Sequence, residues 1–382
     1  MVPLFVLDPA ILDREPVPAN RLRFLRQALE DLDRSLRELG AGLVVRSGDP
    51  VEEAVRLARR AGAEAIHLSE DVSAHAARRL RRLRRAAAGE RIGVRTFPGV
   101  TVVPAGELTP AGADHYRVFT PYWRRWSAAA RRAPLAAPRR LALPEGVRAD
   151  TAPLRGLERG RASPDLPDGG ERAGRRRLAA WERSGLRRYG ERRDDLAADA
   201  TSRLSPYLHL GCLSPLEVAV RAEEREGGEP FARQLCWRDF HHQLLRAIPG
   251  LPGEEMRDRG ERPRDDAEGL AAWREGRTGV PIVDAGMRQL LREGWMHNRA
   301  RMVTASFLTR DLGVDWRLGA RHFAELLVDG DLASNVGNWQ WVAGTGASTR
   351  PNQVLNPSRQ AARFDPDGRY VRRYVPEAGE GA

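Results

Sequence analysis

Residues spaced for chemistry are few in this sequence. It contains no Walker-type phosphate loop, no HExxH and no GxSxG. GxGxxG is also absent, and Gly344–Gly346 is only a GTG turn. Paired carboxylates occur in the turn Asp329–Gly330–Asp331. Two acids this close could serve a metal ion or acid/base work, but adjacent aspartates in a glycine turn more often lie in a surface loop. Cys212 and Cys236 have neither metal-ligand spacing nor a disulfide framework, which fits the cytoplasm. Six of the nine tryptophans fall between Trp237 and Trp341, so aromatic surface is concentrated in the second half.

The chain has 382 residues and 41% hydrophobic content, enough for a large core in one or two domains. No stretch approaches the roughly 18–20 uncharged apolar residues of a membrane span. The N-terminus lacks a basic region and a small-residue cleavage site, so no signal peptide is read. The net charge is +11, and every Lys/Arg position is arginine. A GC-rich genome explains arginine over lysine, but not the excess of base over acid. That surplus favours a polyanionic partner.

The elements that must position any site come in two kinds. Residues 3–7, 42–46, 63–68 and 92–97 read as short strands separated by helical stretches. Asp49–Pro50 is an N-cap followed by proline at the first helical position. This alternation implies a parallel sheet with covering helices. From about 130 to 175 the sequence turns Pro-, Arg- and Gly-rich, as a surface-hugging linker does. Beyond it the signals are helical, with no convincing strand.

The segments WMHNRARMVTASFLTRDL (295–312) and VDWRLGARHFAELLVDGDLASNVGNWQWVAGTG (314–346) resemble the FAD-binding core of the photolyase/cryptochrome family. TSRLSPYLHLGCLSP (201–215), QLCWRDFHHQLL (234–245), AWREGRTGVPIVDAGMRQL (272–290) and LNPSRQAARFDPDGRYVRRYVPE (355–377) resemble it in the same order. The resemblance implies an α/β antenna-type domain at 1–128, a linker at 129–173, and a helical FAD- and DNA-binding domain at 174–382. Relatives open with a further strand and continue beyond Glu377, so the α/β domain is expected to lack its first strand and the helical domain to be shortened.

By the same resemblance, Tyr189, Thr201, Ser202, Arg203, Leu204 and Ser205 hold the pyrophosphate of FAD; the loop alone also reads as an ordinary helix N-cap. Asp329, Gly330 and Asp331 lie on its ribityl and isoalloxazine side, with Arg301 balancing charge. Phe231, Gln234, Arg238 and Asn298 complete the cofactor set. Asn335 faces flavin N5, where an amide suits a repair enzyme working as FADH⁻. Trp339, Trp316 and Trp273 resemble an electron-hopping chain, with Trp273, in the charged AAWREGR, at its surface end.

Trp237 and Trp341 resemble the indoles that sandwich a flipped dimer, where stacking is worth roughly 1–3 kcal/mol per base. Met302, Asn298 and Gln234 resemble lesion contacts, and Arg193 and Arg299 phosphate clamps. Met302 and Asn298 favour cyclobutane pyrimidine dimers over (6-4) photoproducts. Gln234, where many relatives carry Glu, and Gln353, where many carry Arg, depart from that pattern. The expected activity is light-driven dimer repair in damaged DNA by a cytoplasmic monomer. A cryptochrome-type photoreceptor and a truncated, non-catalytic remnant stand beside it. The antenna chromophore, folate or deazaflavin in the family, is left open by the missing strand. Two cysteines exclude an iron–sulfur relative.

Overall fold

The computed structural model describes residues 1–13, 16–260, 262–349 and 353–379. The first part alternates strand and helix: β1 (Leu4–Leu7), α1 (Pro9–Leu12), α2 (Ala19–Glu38), β2 (Val44–Ser47), α3 (Pro50–Arg60), β3 (Ala65–Ser69), α4 (Ala74–Gly89) and β4 (Gly93–Phe97). Each strand falls within two residues of the apolar run that predicted it. Asp49 caps α3 as its sequence implied: its Oδ1 accepts from Val51 N at 2.9 Å and Glu52 N at 3.2 Å.

Pairing is parallel, as alternating strands and helices demand. The strands form two ladders, β1–β2 and β3–β4, rather than one continuous sheet. Helix α3 packs on both β1 and β3 and so ties the ladders together. The outer edge of β2 is closed by the linker, where Val45 N donates to Asp150 O at 2.8 Å. Leu154 and Leu157 are buried against Leu7, Leu22 and Leu43, so the segment that carries them packs on this half.

Helices make up the remainder: α5 (Phe119–Ala128), α6 (Glu171–Ser184), α7 (Tyr189–Arg192), α8 (Ser205–His209), α9 (Pro215–Glu223), α10 (Glu229–Ala247), α11 (Ala267–Glu275) and α12 (Pro281–Glu293). They are followed by α13 (Asn298–Ser306), α14 (Trp316–Leu326), α15 (Leu332–Ala343), α16 (Pro357–Phe364) and α17 (Arg369–Tyr374). One large apolar core runs through them and takes in Val102, Val103 and Trp126 from the 100–128 segment. Asp239 on α10 fixes that segment: it accepts from Val103 N at 2.9 Å and from the Trp126 indole at 2.8 Å.

α10 and α15 form the centre. They approach closely because residue 337 is glycine; a Cβ there would lie 2.6 Å from His241 Cδ2. Gly319 does the same for α14, where a Cβ would meet the Trp339 ring at 2.2 Å.

Candidate flavin and lesion site

The turn between α14 and α15 carries Asp329, Gly330 and Asp331. Asp329 is buried. Its Oδ2 accepts from Arg301 Nη2 at 2.8 Å, and Arg301 Nε donates to Met296 O at 2.8 Å. Arg301 thus offsets the charge of Asp329. Asp329 Oδ1 is buried without a partner.

Asp331 caps α15 through Oδ1, which accepts from Ser334 N at 2.7 Å. Its Oδ2 faces three cationic or titratable groups: His242 Nε2 at 3.3 Å, Arg238 Nη2 at 3.7 Å and His209 Nδ1 at 3.8 Å. Burial pushes this carboxyl up, but His242, His209 and Arg238 outweigh it and hold it well below the usual carboxylate range. Burial pulls the His242 imidazole down, yet the Asp331 charge and hydrogen bond raise it above its ordinary value. His242 Nδ1 faces Arg238 O at 2.9 Å, so both ring nitrogens look at acceptors, as an imidazolium requires. Neither His209 nor His242 is among the residues expected from the sequence. The signal available was the His241–His242 doublet, four residues on from Arg238, one helical turn along the same face.

Asn335, one turn into α15, donates from Nδ2 to Ala320 O at 2.9 Å. That bond fixes the amide and leaves Oδ1 as its acceptor. Tyr189 and Phe231 join Trp181 in an aromatic box with centroid separations of 4.3–5.8 Å. Burial pushes the Tyr189 phenol up to about 12.

The 201–205 loop precedes α8. Arg177 holds its carbonyls, donating to Ser202 O at 2.9 Å and Thr201 O at 3.2 Å. Thr201 Oγ1 is buried and unpartnered. Ser205 Oγ accepts from the Trp295 indole at 3.4 Å. Arg203 departs from expectation. Its guanidinium pairs with Asp199 at 2.5 Å and Glu293 at 2.8 Å, and lies 4.3 Å from the Trp295 ring centroid. Two acids and an indole claim the charge, so Arg203 braces the loop rather than offering a free phosphate ligand. Its backbone has φ of +52°, outside the helical range.

The tryptophans divide. Trp339 and Trp316 are 2% and 3% exposed. The Trp316 indole donates to Glu255 Oε1 at 3.1 Å, and Glu255 is part-exposed. Trp273 corrects the expectation of a surface end: it is 0% exposed. Its indole donates to Thr304 O at 3.0 Å, and its ring lies 6.1 Å from Trp339. Arg274 and Glu275 lie on the other faces of α11, whose single buried residue is Trp273, and Arg277 lies beyond its end.

Trp237 and Trp341, the indoles expected to meet a lesion, are half-buried. One face of Trp237 lies flat on Phe119, with centroids 3.7 Å apart and planes 4° from parallel. Gln234 and Met302 are half-buried and Asn298 is exposed, with Asn298 Nδ2 3.8 Å from Met302 Sδ. Arg299 is committed to Asp194 at 2.9 Å and stands over Phe364, whereas no ion pair of Arg193 is recorded among the described residues. Gln353 is exposed.

The 329–331 turn carries an acid–guanidinium pair and an unpartnered buried oxygen at Asp329, the fixed amide of Asn335 lies one turn into α15, and a second unpartnered oxygen lies at Thr201 in the loop before α8. Residues 231–380 match the family profile described as the FAD binding domain of DNA photolyase, and residues 1–139 match the one described as DNA photolyase. The sequence is 50% identical to the deoxyribodipyrimidine photo-lyase of Streptomyces griseus, over 100% of this chain and 84% of that one. The chain belongs to the DNA photolyase family.

Two solved photolyases have the same fold. A class III photolyase from Agrobacterium tumefaciens superposes with a TM-score of 0.89 at 33% identity, over 98% of this chain and 81% of that one. The archaeal photolyase from Sulfolobus tokodaii, described with two FAD molecules, gives 0.86 at 30% identity over 100% and 85%. The segment matched to the photolyase FAD-binding domain thus contains the 329–331 turn, Asn335, Trp273, Trp316 and Trp339. The orphaned oxygens of Thr201 and Asp329 are what a polar, hydrogen-bonding ligand such as FAD would satisfy. No helix among the described residues is long and apolar enough to cross a membrane.

Proposed function

We propose that this photolyase repairs cyclobutane pyrimidine dimers in DNA, using light and bound FAD. FAD held there in its reduced form would supply the light absorption and the electron that dimer splitting needs. The protein's own residues bind, orient and exclude water. Asp329 and Arg301 form a neutralised pair on the cofactor side. Asp331, held ionised by His242, Arg238 and His209, keeps its place at the head of α15. Thr201 Oγ1 and the backbone of the 201–205 loop serve the pyrophosphate, with Arg177 and Arg203 bracing that loop.

The orientation of Asn335 carries the repair reading. With Nδ2 tied to Ala320 O, the amide presents Oδ1, an uncharged acceptor suited to the N–H of a reduced flavin. Trp339 and Trp316 form the inner and outer parts of a photoreduction relay that leaves the protein beside Glu255. Trp237 and Trp341 receive the flipped dimer, with Gln234, Asn298 and Met302 at its edges. Arg193 takes a backbone phosphate. The division into α/β residues 1–128, linker 129–173 and helical residues 174–382 belongs to the same reading, as do a cytoplasmic location and a monomeric state. No antenna is assigned to the α/β half.

The test is direct. The purified protein is examined for flavin absorption and then illuminated with a dimer-containing oligonucleotide. Flavin bound without light-dependent loss of dimer rules out the repair reading.

A further inference from the structure

We infer that Arg21, on the α/β half, is a positioning residue for the flavin site, setting the turn that bears Asp329 and Asp331. The inference rests on the assignment of that turn to the flavin.

Arg21 lies in the first turn of α2, far from the helical half in sequence. Its guanidinium reaches the C-terminus of α14, where Nη1 donates to Leu327 O at 3.1 Å and to Ala324 O. The last carbonyls of a helix have no partner within it, and an arginine there satisfies them and opposes the negative end of the dipole. The turn then wraps the guanidinium. A Cβ at Gly330 would lie 2.5 Å from Arg21 Nη1. Burial pulls the Arg21 pKa down, while the charges of Asp329 and Glu325 pull it up, so the cation faces the acid it helps to place. Val328 N is anchored separately, on Gly294 O at 2.8 Å.

Asn20 provides an internal control. It is buried, donates to Leu326 O at 2.6 Å and Ser163 Oγ at 3.0 Å, and accepts from Ser163 N at 2.7 Å. It grips the same helix end from the same helix, but no recorded contact joins it to Asp329 or Gly330. A residue that merely glues the two halves would act like Asn20.

The experiment measures FAD release from flavin-loaded protein after dilution, by the rise in free-flavin fluorescence, alongside urea denaturation. Arg21→Leu should release FAD at least about tenfold faster, which is about 1.4 kcal/mol. Arg21→Lys should recover part of that, since an ammonium can cap the carbonyls without the planar fork. Asn20→Ala should lower the denaturation midpoint and leave release unchanged. Gly330→Ala should speed release in the wild-type background and add nothing in Arg21→Ala, because the methyl then has room. Unchanged release in Arg21→Leu, or release that tracks the denaturation midpoint alike in Arg21→Leu and Asn20→Ala, overturns the inference. If the unmodified protein takes up no FAD, the flavin assignment itself fails.

Discussion

Arg301 Nη2 stands 2.8 Å from Asp329 Oδ2, while Oδ1 of the same carboxylate is buried with no partner. One oxygen is neutralised by the protein and the other is left for a ligand. Asp329 is buried and Arg301 only partly so, and removing the arginine strands the buried carboxylate, at a cost of about 1–3 kcal/mol. Arg301→Leu should therefore lower the urea midpoint and abolish flavin retention on gel filtration. Asp329→Asn, which keeps shape and a hydrogen bond, should do less on both counts. Equal effects of the two would refute the charge argument.

Trp273 and Trp341 should part company. Trp273 is fully enclosed, so Trp273→Ala opens a cavity worth about 3–5 kcal/mol. Trp341 is half-exposed, so Trp341→Ala should leave the denaturation midpoint nearly unchanged while removing affinity for a dimer-containing oligonucleotide. Denaturation curves and a binding titration on each variant decide it. Retained dimer affinity in Trp341→Ala would remove that indole from the lesion site.

Phe119 should matter for lesions although it faces none. It supports Trp237 from behind at 3.7 Å, and such a stacked pair is worth about 0.5–1.5 kcal/mol beyond its burial. Phe119→Ala should weaken dimer binding by up to about tenfold, with flavin absorption intact. A loss of flavin alongside would mean that α10 itself has shifted.

Salt dependence separates two arginines. Arg193→Ala should reduce the slope of log affinity against log salt by about 0.9, the value for one released counterion. Arg299 is already neutralised by Asp194, so Arg299→Ala should change the slope less. Equal changes would show that DNA breaks the Arg299–Asp194 pair on binding.

Acid should destabilise the fold steeply. Burial pulls His241, His297 and His322 from about 6.5 to about 4. Between these values the unfolded chain binds the proton and the folded one refuses it. Stability is therefore full above about pH 6.5 and falls on acidification, by about 1.4 kcal/mol per pH unit for each histidine. His242 opposes them: its value is raised, so its contribution is full below 6.5 and fades as pH climbs through the raised value. Asp331, depressed, contributes above about pH 4 and loses that only at stronger acid. Urea midpoints at pH 7.5 and 5.5 test the net sign, and a flat profile would refute it. His322→Gln should take roughly one histidine's share from the slope.

Much of the fold was legible because it is written locally. Runs of five or six residues announced each strand, and Asp49–Pro50 announced a helix start. The 329–331 turn was legible as a candidate site through its long motifs. What escaped was set by three-dimensional company. The charges around Trp273 suggested water, but helical geometry sent its ring inward. Arg203 read as a phosphate ligand because Glu293, ninety residues on, is invisible to local spacing. Arg21 looked like any basic residue of an amphipathic helix, since only the fold brings it under Gly330. Phe119 carried no motif at all.

The split sheet shapes how the molecule breathes. In β1 and β3 every second amide points to an edge where no strand among the described residues accepts it. In deuterated buffer those amides should exchange at rates typical of loops, alternating along each strand with protected neighbours. Amides in α10, α14 and α15, locked within the main core, should persist until the whole chain opens. A two-tempo exchange pattern is thus built into the architecture, with the α/β half opening and reclosing many times for each excursion of the flavin half.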